Sequence, residues 1–344
     1  MTEADRVFAR FPDFIKEYIY SHGWSELRDV QLVAARVILE TDSNLLISSS
    51  TASGKTEAAF FPIISDIYDD PECKSSVSVL YIAPLKSLIN DQFYRLDELL
   101  FASGIPVTHW HGDVGAGHKA RLLKSPEGIL QITPESLEAM VMSRSNDIPR
   151  IFSSLRYVVI DEVHSMISSD RGNQVLCLLS RIASLIGHHP RRIGLSATVG
   201  DISLTANWLG SGTGRETVAP EPPRTPIKWR LALEHFYTQN SNEKQGCEGS
   251  YGDEDTDGGV AGLDPGYEFL YDATLGAKAL VFSNSREETE YVTATLRQIA
   301  RERGDPDVFL IHHGNLSASL REDAEAKMKD ETVRRAVTCA TVTM

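Results

Sequence analysis

From residue 44 onward, short unbroken apolar runs alternate with longer stretches whose apolar residues recur every three or four positions. The runs cover residues 45–47, 77–83, 129–132, 157–160 and 193–195. Runs of this kind read as strands buried on both faces, the mark of a parallel sheet. Between the last two, Val175, Leu178, Leu179, Ile182, Leu185 and Ile186 line one stripe of a helix. The alternation predicts a doubly wound parallel α/β domain over residues 25–214. Ahead of it lies an N-terminal helical segment, 1–24. There Val7, Phe8, Phe11, Phe14, Ile15, Tyr18 and Ile19 fall at helical spacing and predict a packing helix that begins near Pro12.

The texture changes after residue 214. Residues 215–225 are rich in Pro, and 226–238 read as extended. Between Glu243 and Asp257 there are six acids and one lysine in a Gly- and Ser-rich run. We read 215–265 as a linker that carries a disordered acidic loop at about 239–262. Strand–helix alternation then resumes. Strands are predicted at 279–282, 308–311 and 336–339, with helices near 286–302 and 317–329. They make a second, incomplete α/β unit over 266–344.

Composition narrows the class. With 344 residues, 42% hydrophobic and 24% charged, the chain is neither disordered, collagen-like nor a coiled coil, and two domains are expected. No run approaches the roughly 18–20 apolar residues that span a bilayer, so no membrane association is expected. Glu3, Asp5, Asp13 and Glu17 rule out a secretory signal in the first twenty residues. The four cysteines, Cys73, Cys177, Cys247 and Cys339, form no C-x-x-C pair. A disulfide framework and a zinc site are therefore not indicated, and a reducing, cytoplasmic setting is expected. The net charge of −14 means that nucleic acid, if bound, is held by a local groove and not by bulk attraction.

Two places carry candidate chemistry. Residues 44–60 read NLLISSSTASGKTEAAF: a buried strand, a loop of small residues, then a helix starting around Gly54. Small residues such as Thr51, Ala52 and Ser53 let backbone N–H groups approach phosphate oxygens, and the helix N-terminus adds a favourable dipole. Lys55 can reach the β- and γ-phosphates of a nucleotide, and the Thr56 hydroxyl can hold Mg²⁺. Ser49 replaces the first glycine of G-x-x-x-x-G-K-[ST], so taken alone the segment also fits a Ser-rich turn with an incidental lysine. The second place is the strand end at Asp161-Glu162-Val163-His164. Two adjacent carboxylates there serve no packing purpose. In a phosphate-loop enzyme Asp161 would hold Mg²⁺ and Glu162 would orient the attacking water. Both places are expected at the C-terminal edge of one sheet, where such folds bind ligands.

TASGKTEAA, DEVH at 161–164 and LSAT at 195–198, in that order, resemble the first motor domain of a superfamily 2 helicase. The wider pattern is most similar to the Lhr-like branch of the DExH-box helicases. The resemblance covers about residues 25–341 and implies two RecA-like domains and an ATP-dependent helicase that moves on DNA or RNA. It implies ATP and Mg²⁺ on Lys55, Thr56, Asp161 and Glu162, with His164 beside them and Gln31 reading the adenine edge. It implies that Pro84 and Lys86, His111, Gly112 and Asp113, and Thr133 and Pro134 form loops along the strand. Ser283 and Asn284, and His313 and Gly314, would continue them in the second domain. Ser196, Ala197 and Thr198 would couple nucleotide to strand. Loops of this composition bind phosphates without reading bases. Members of the family run on past the strand at 336–340 with a Thr-Leu-Glu-Leu-Gly-Ile-Asp stretch and an arginine-finger motif. Here the sequence reads AVTCATVTM to Met344. An arginine finger is worth roughly 10³–10⁵ in rate. One alternative is therefore a nucleotide- and nucleic-acid-binding module with little hydrolysis, completed by a protein partner. A transporter or signalling ATPase is a further rival, against which LSAT and the second α/β unit speak.

Overall fold

The computed structural model describes residues 2–49, 54–197, 199–220, 230–236, 264–330 and 332–341. Thr51, Ala52, Ser53, Thr198 and the acidic run at 239–262 lie outside the described residues. The chain divides into two compact units, Met1–Ile227 and Lys228–Met344.

The first unit is built on seven strands: β1 (Asn44–Ser48), β2 (Val77–Ile82), β3 (Val107–Trp110), β4 (Gly128–Ile132), β5 (Tyr157–Ile160), β6 (Arg191–Ser196) and β7 (Thr217–Val218). They form one parallel sheet in the order β3-β4-β2-β5-β6-β1-β7, the parallel α/β domain that the alternation predicts and the RecA-like fold that the resemblance implies. Side chains alternate between two cores, as the two-residue period of a strand requires. Leu45, Ile47, Val79, Tyr81, Val159, Ile193 and Leu195 face one helical layer. Leu46, Leu80, Ile82, Leu130, Val158 and Ile160 face the other. The N-terminal residues join the first layer, with Val7, Phe11, Ile15 and Ile19 all buried. They form two helices, Glu3–Ala9 and Asp13–Ser21, because Pro12 stands at the N-cap of the second.

Two strands escaped the sequence reading. β3 is a half-buried edge strand of four mixed residues, VTHW, and β7 is only two residues long. β6 also starts two residues before the apolar run, at the buried Arg191 and Arg192. Arg191 donates to the carbonyls of Val37 and Ile38 at the end of helix Asp29–Glu40. Arg192 donates to the carbonyls of Leu209 and Ser211 at the end of helix Ile202–Gly210, and burial pushes its pKa down to about 10. Each cation satisfies helix-end carbonyls, so a charged pair can open a buried strand.

The second unit holds a smaller parallel sheet of three strands, β8 (Lys278–Ser283), β9 (Phe309–His312) and β10 (Ala336–Thr341), in the order β8-β10-β9. Val292, Leu296, Ile299, Phe309, Val337 and Cys339 make its core, with helix Arg286–Arg303 over the sheet. Residues 230–236, part of the stretch expected to be extended, are in no strand, and all but the half-buried Phe236 are exposed.

Candidate functional site

β1 and β6 end side by side: the Ser49 N–H donates to the Ser196 carbonyl at 3.1 Å. Downstream, Gly54 caps helix Lys55–Ile67 with φ +82°, a left-handed conformation suited to glycine. A Cβ there would stand 2.8 Å from the amide nitrogen of Gln31. Gln31 itself is buried, and its Oε1 accepts from the Arg28 N–H at 2.9 Å. Lys55 reaches back towards β1, its Nζ donating to the Ser49 carbonyl at 2.6 Å. Partial burial lowers the proton affinity of this ammonium, while Glu162 and Asp161 pull it back up. Lysine and couplet therefore sit within electrostatic reach on the C-terminal edge of one sheet.

The couplet is held from several sides. Asp161 is 7% exposed and accepts from the Tyr81 hydroxyl and from the Glu162 N–H. Burial raises its carboxyl pKa, and those two donors, Lys55 and His164 oppose the rise. Glu162 takes a left-handed backbone at φ 49°, unusual for a non-glycine residue. Burial first, and then the neighbouring Asp161 charge, raise its pKa as well. His164 Nδ1 lies 3.2 Å from Glu162 Oε2 and 3.1 Å from Ser196 Oγ, so one ring links the couplet to the end of β6.

Thr56 occupies the first turn of helix Lys55–Ile67, and its hydroxyl accepts from Gln92 Nε2 at 3.2 Å. Next to it the buried Glu57 pairs with Arg95. Helix Lys86–Leu100 thus lays Gln92 and Arg95, three residues apart, along the phosphate-loop helix. The Thr56 hydroxyl and the Asp161 carboxylate are hard oxygen donors, the kind that magnesium takes, and a cation beside a buried carboxylate offsets its desolvation. No cluster of three or more His, Cys, Asp or Glu that could hold a metal occurs among the described residues. A magnesium ion completed by phosphates and water needs only one or two protein oxygens.

Residues 84–86, Trp110, Gly112, Thr133, Glu135 and Ser136 line one open groove of about 600 Å³ together with Lys119 and Arg171, whereas His111 and Pro134 are buried and do not line it. Lys86 Nζ donates to both Asp113 carboxylate oxygens at 3.0 Å. Both side chains are at least half exposed, so this pair contributes about 0–1 kcal/mol, and a phosphate can replace Asp113 cheaply. Thr133 caps helix Pro134–Ser143, accepting from the Ser136 N–H at 3.3 Å. Lys119 sits 5.6 Å over the Trp110 ring. His111 differs from its neighbours. Its ring is buried, bonded to Asn90 Oδ1 at 3.0 Å and stacked on His109, and burial lowers its pKa.

In the second unit, loops 283–286 and 312–315 meet at the C-terminal edge of the small sheet. Arg286 donates to Asn315 Oδ1 at 2.9 Å. The Asn284 N–H donates to Glu288 Oε2 at 2.9 Å, and Ser283 is buried. The ring of His313 is buried, with Nε2 3.1 Å from Glu290 Oε1, whereas Gly314 and Asn315 are exposed.

Sequence reasoning passed over Tyr81, Gln92, Arg95, Trp110, Lys119 and Arg171. Tyr81 carried a usable signal, because a phenol inside an otherwise apolar strand needs a hydrogen-bond partner. The others are ordinary polar and aromatic positions whose neighbours are set only by tertiary packing.

The model of the DEAD/DEAH box helicase family matches residues 28–205. The ATP-dependent helicase Lhr-Core of Methanothermobacter thermautotrophicus is 32% identical over 311 residues, which cover 83% of this chain and 33% of that protein. The Lhr helicase/uracil glycosylase of Escherichia coli is 28% identical, covering 88% of this chain and 22% of its own length. The structure of Mycobacterium smegmatis helicase Lhr bound to ssDNA and AMP-PNP matches with a TM-score of 0.71 at 26% identity, covering 97% of this chain and 42% of that one. The chain thus spans about a third or less of the length of these two curated relatives.

Proposed function

The chain belongs to the DEAD/DEAH box helicase family, and on that footing we propose that it is the nucleotide- and strand-binding part of an Lhr-type ATP-dependent helicase acting on DNA or RNA. One observation carries the reading: Lys55 Nζ reaches the Ser49 carbonyl beside the end of β6, where His164 joins Ser196 to Glu162, so that lysine and couplet share one sheet edge. A triphosphate placed there meets the Lys55 ammonium and the N-terminus of helix Lys55–Ile67. Gln31, against Gly54, offers its amide to the adenine edge. Glu162 orients the attacking water and accepts its proton, a role suited to a carboxylate of raised pKa that His164 holds in place. Thr56 and Asp161 would hold magnesium, which when bound supplies charge neutralisation to the phosphates. His164 and Ser196 form the link by which the state of the nucleotide reaches the rest of the sheet edge.

The strand-binding part rests on the groove, where Lys86, Lys119, Thr133 and Ser136 offer donors to phosphate oxygens. Such contacts carry no sequence information and suit a protein that moves along any strand. The test is ATP turnover by the purified chain, with and without single-stranded DNA or RNA. We expect stimulation by strand and a loss of at least roughly 10²-fold in Glu162→Gln, the usual worth of a positioned base. Turnover that ignores strand, or a fully active Glu162→Gln, contradicts the reading.

A further inference from the structure

Arg171 belongs to none of the motifs in the sequence, yet it joins three of the elements that carry them. Its Nη2 donates to the Pro84 carbonyl at 2.7 Å and to Glu135 Oε1 at 2.7 Å. Pro84 lies just beyond β2, and Glu135 lies just beyond β4. Arg171 itself is delivered by the segment that leaves β5. Since β4, β2 and β5 are consecutive in the sheet, one guanidinium spans three neighbouring strand ends.

The segment leading from the acidic couplet to Arg171 is stitched tightly. Glu162 and Ser168 are the two non-glycine residues with positive φ among the described residues, and they bracket the short helix Val163–Met166. Ser169 donates to the Met166 carbonyl at 2.6 Å and accepts from the Gly172 N–H at 3.1 Å. A Cβ on Gly172 would stand 2.0 Å from the Met166 carbonyl oxygen, so the turn closes to backbone contact. Backbone so over-determined fixes where the segment delivers Arg171 relative to the couplet.

We propose that Arg171 is a positioning residue: it ties the strand-facing loops 84–86 and 133–135 to the segment that carries Asp161 and Glu162, so that strand affinity depends on the nucleotide. The inference rests on the nucleotide and strand sites proposed above. Two observations set Arg171 apart from a phosphate ligand. Its Nη2 already serves two protein acceptors, and its Nε is buried with no partner among the described residues. Glu135 would by itself repel phosphates in the groove, and the pairing offsets that repulsion.

The experiment measures the affinity of a fluorescent oligothymidylate with and without AMP-PNP and magnesium, over a range of salt. It compares wild type, Arg171→Lys and the double variant Arg171→Met/Glu135→Gln. We expect the nucleotide-induced change in strand affinity to fall to within about twofold of no change in both variants. The slope of log affinity against log salt should stay at the wild-type value. A lysine keeps the charge but not the planar fork, so it cannot restore the span. A salt slope smaller by about 1 in the double variant would make Arg171 a direct phosphate contact and overturn the proposal. Full nucleotide dependence in Arg171→Lys, or its recovery in the double variant, would reduce the residue to a charge that cancels Glu135 and also overturn it. Wild type that binds no strand sinks the proposed function itself, and this inference with it. Thermal unfolding of each variant by circular dichroism separates these outcomes from loss of fold.

Discussion

At the scale of single residues, the couplet is held in a state that favours a cation. Burial raises the pKa of both Asp161 and Glu162, so in the ligand-free fold both hold protons more tightly than in the unfolded chain. Their contribution to stability is therefore present below the ordinary carboxylate range and is lost as pH rises through the raised values. Binding of magnesium and nucleotide needs the ionised forms and works in the opposite sense. Affinity for a magnesium–ATP analogue should fall as pH drops, starting above the ordinary values of 3.8 for Asp and 4.5 for Glu. Tyr81 sharpens this expectation, because its hydroxyl lowers the Asp161 pKa. Tyr81→Phe removes that donor, so the acid limb should move to higher pH. Calorimetric titration between acid and neutral pH checks both. An unchanged acid limb in Tyr81→Phe would mean that the hydroxyl does not support the carboxylate.

At the scale of elements, the apolar runs were a sufficient guide to β1, β2, β4, β5 and β6, since a strand buried on both faces has no polar face to blur it. β3 was not legible, because an edge strand with one half-exposed face, here VTHW, lacks that contrast. The start of β6 was hidden for another reason: Arg191 and Arg192 look like a surface pair until the helix ends that they cap are in place. Lys55, Thr56, Asp161 and Glu162 could be singled out from short local patterns. Their supporting residues Tyr81 and Gln92 reach them from other elements, and of the two only Tyr81, a phenol inside an apolar strand, left a signal. Helix Ala116–Lys124 shows the same limit. Its Lys119 acquires a place in the groove only by packing over Trp110. Lys119→Ala should weaken strand binding about equally on all sequences and reduce the salt slope by about 1, as loss of one phosphate contact does. Fluorescence anisotropy over a salt series gives both numbers. A slope equal to that of wild type would remove Lys119 from the strand path.

At the scale of the molecule, a net charge of −14 is reconciled with the proposed polyanionic partner by a local concentration of cations. Lys86 and Lys119 share one groove, where the exposed Asp113 that holds Lys86 can give way to a phosphate and Arg171 pairs with the acidic Glu135. The two parallel sheets, one of seven strands and one of three, each gather their candidate residues at the C-terminal edge. The account depends most on Lys55 and Asp161 gripping one and the same ligand. Calorimetric titration of AMP-PNP with magnesium into wild type, Lys55→Ala, Asp161→Asn and the double variant tests this directly. Each single change should cost most of the affinity, and the double should cost clearly less than the sum, with an interaction of about 0.5–3 kcal/mol. Lys55→Ala binding as tightly as wild type, or losses that simply add, would contradict it.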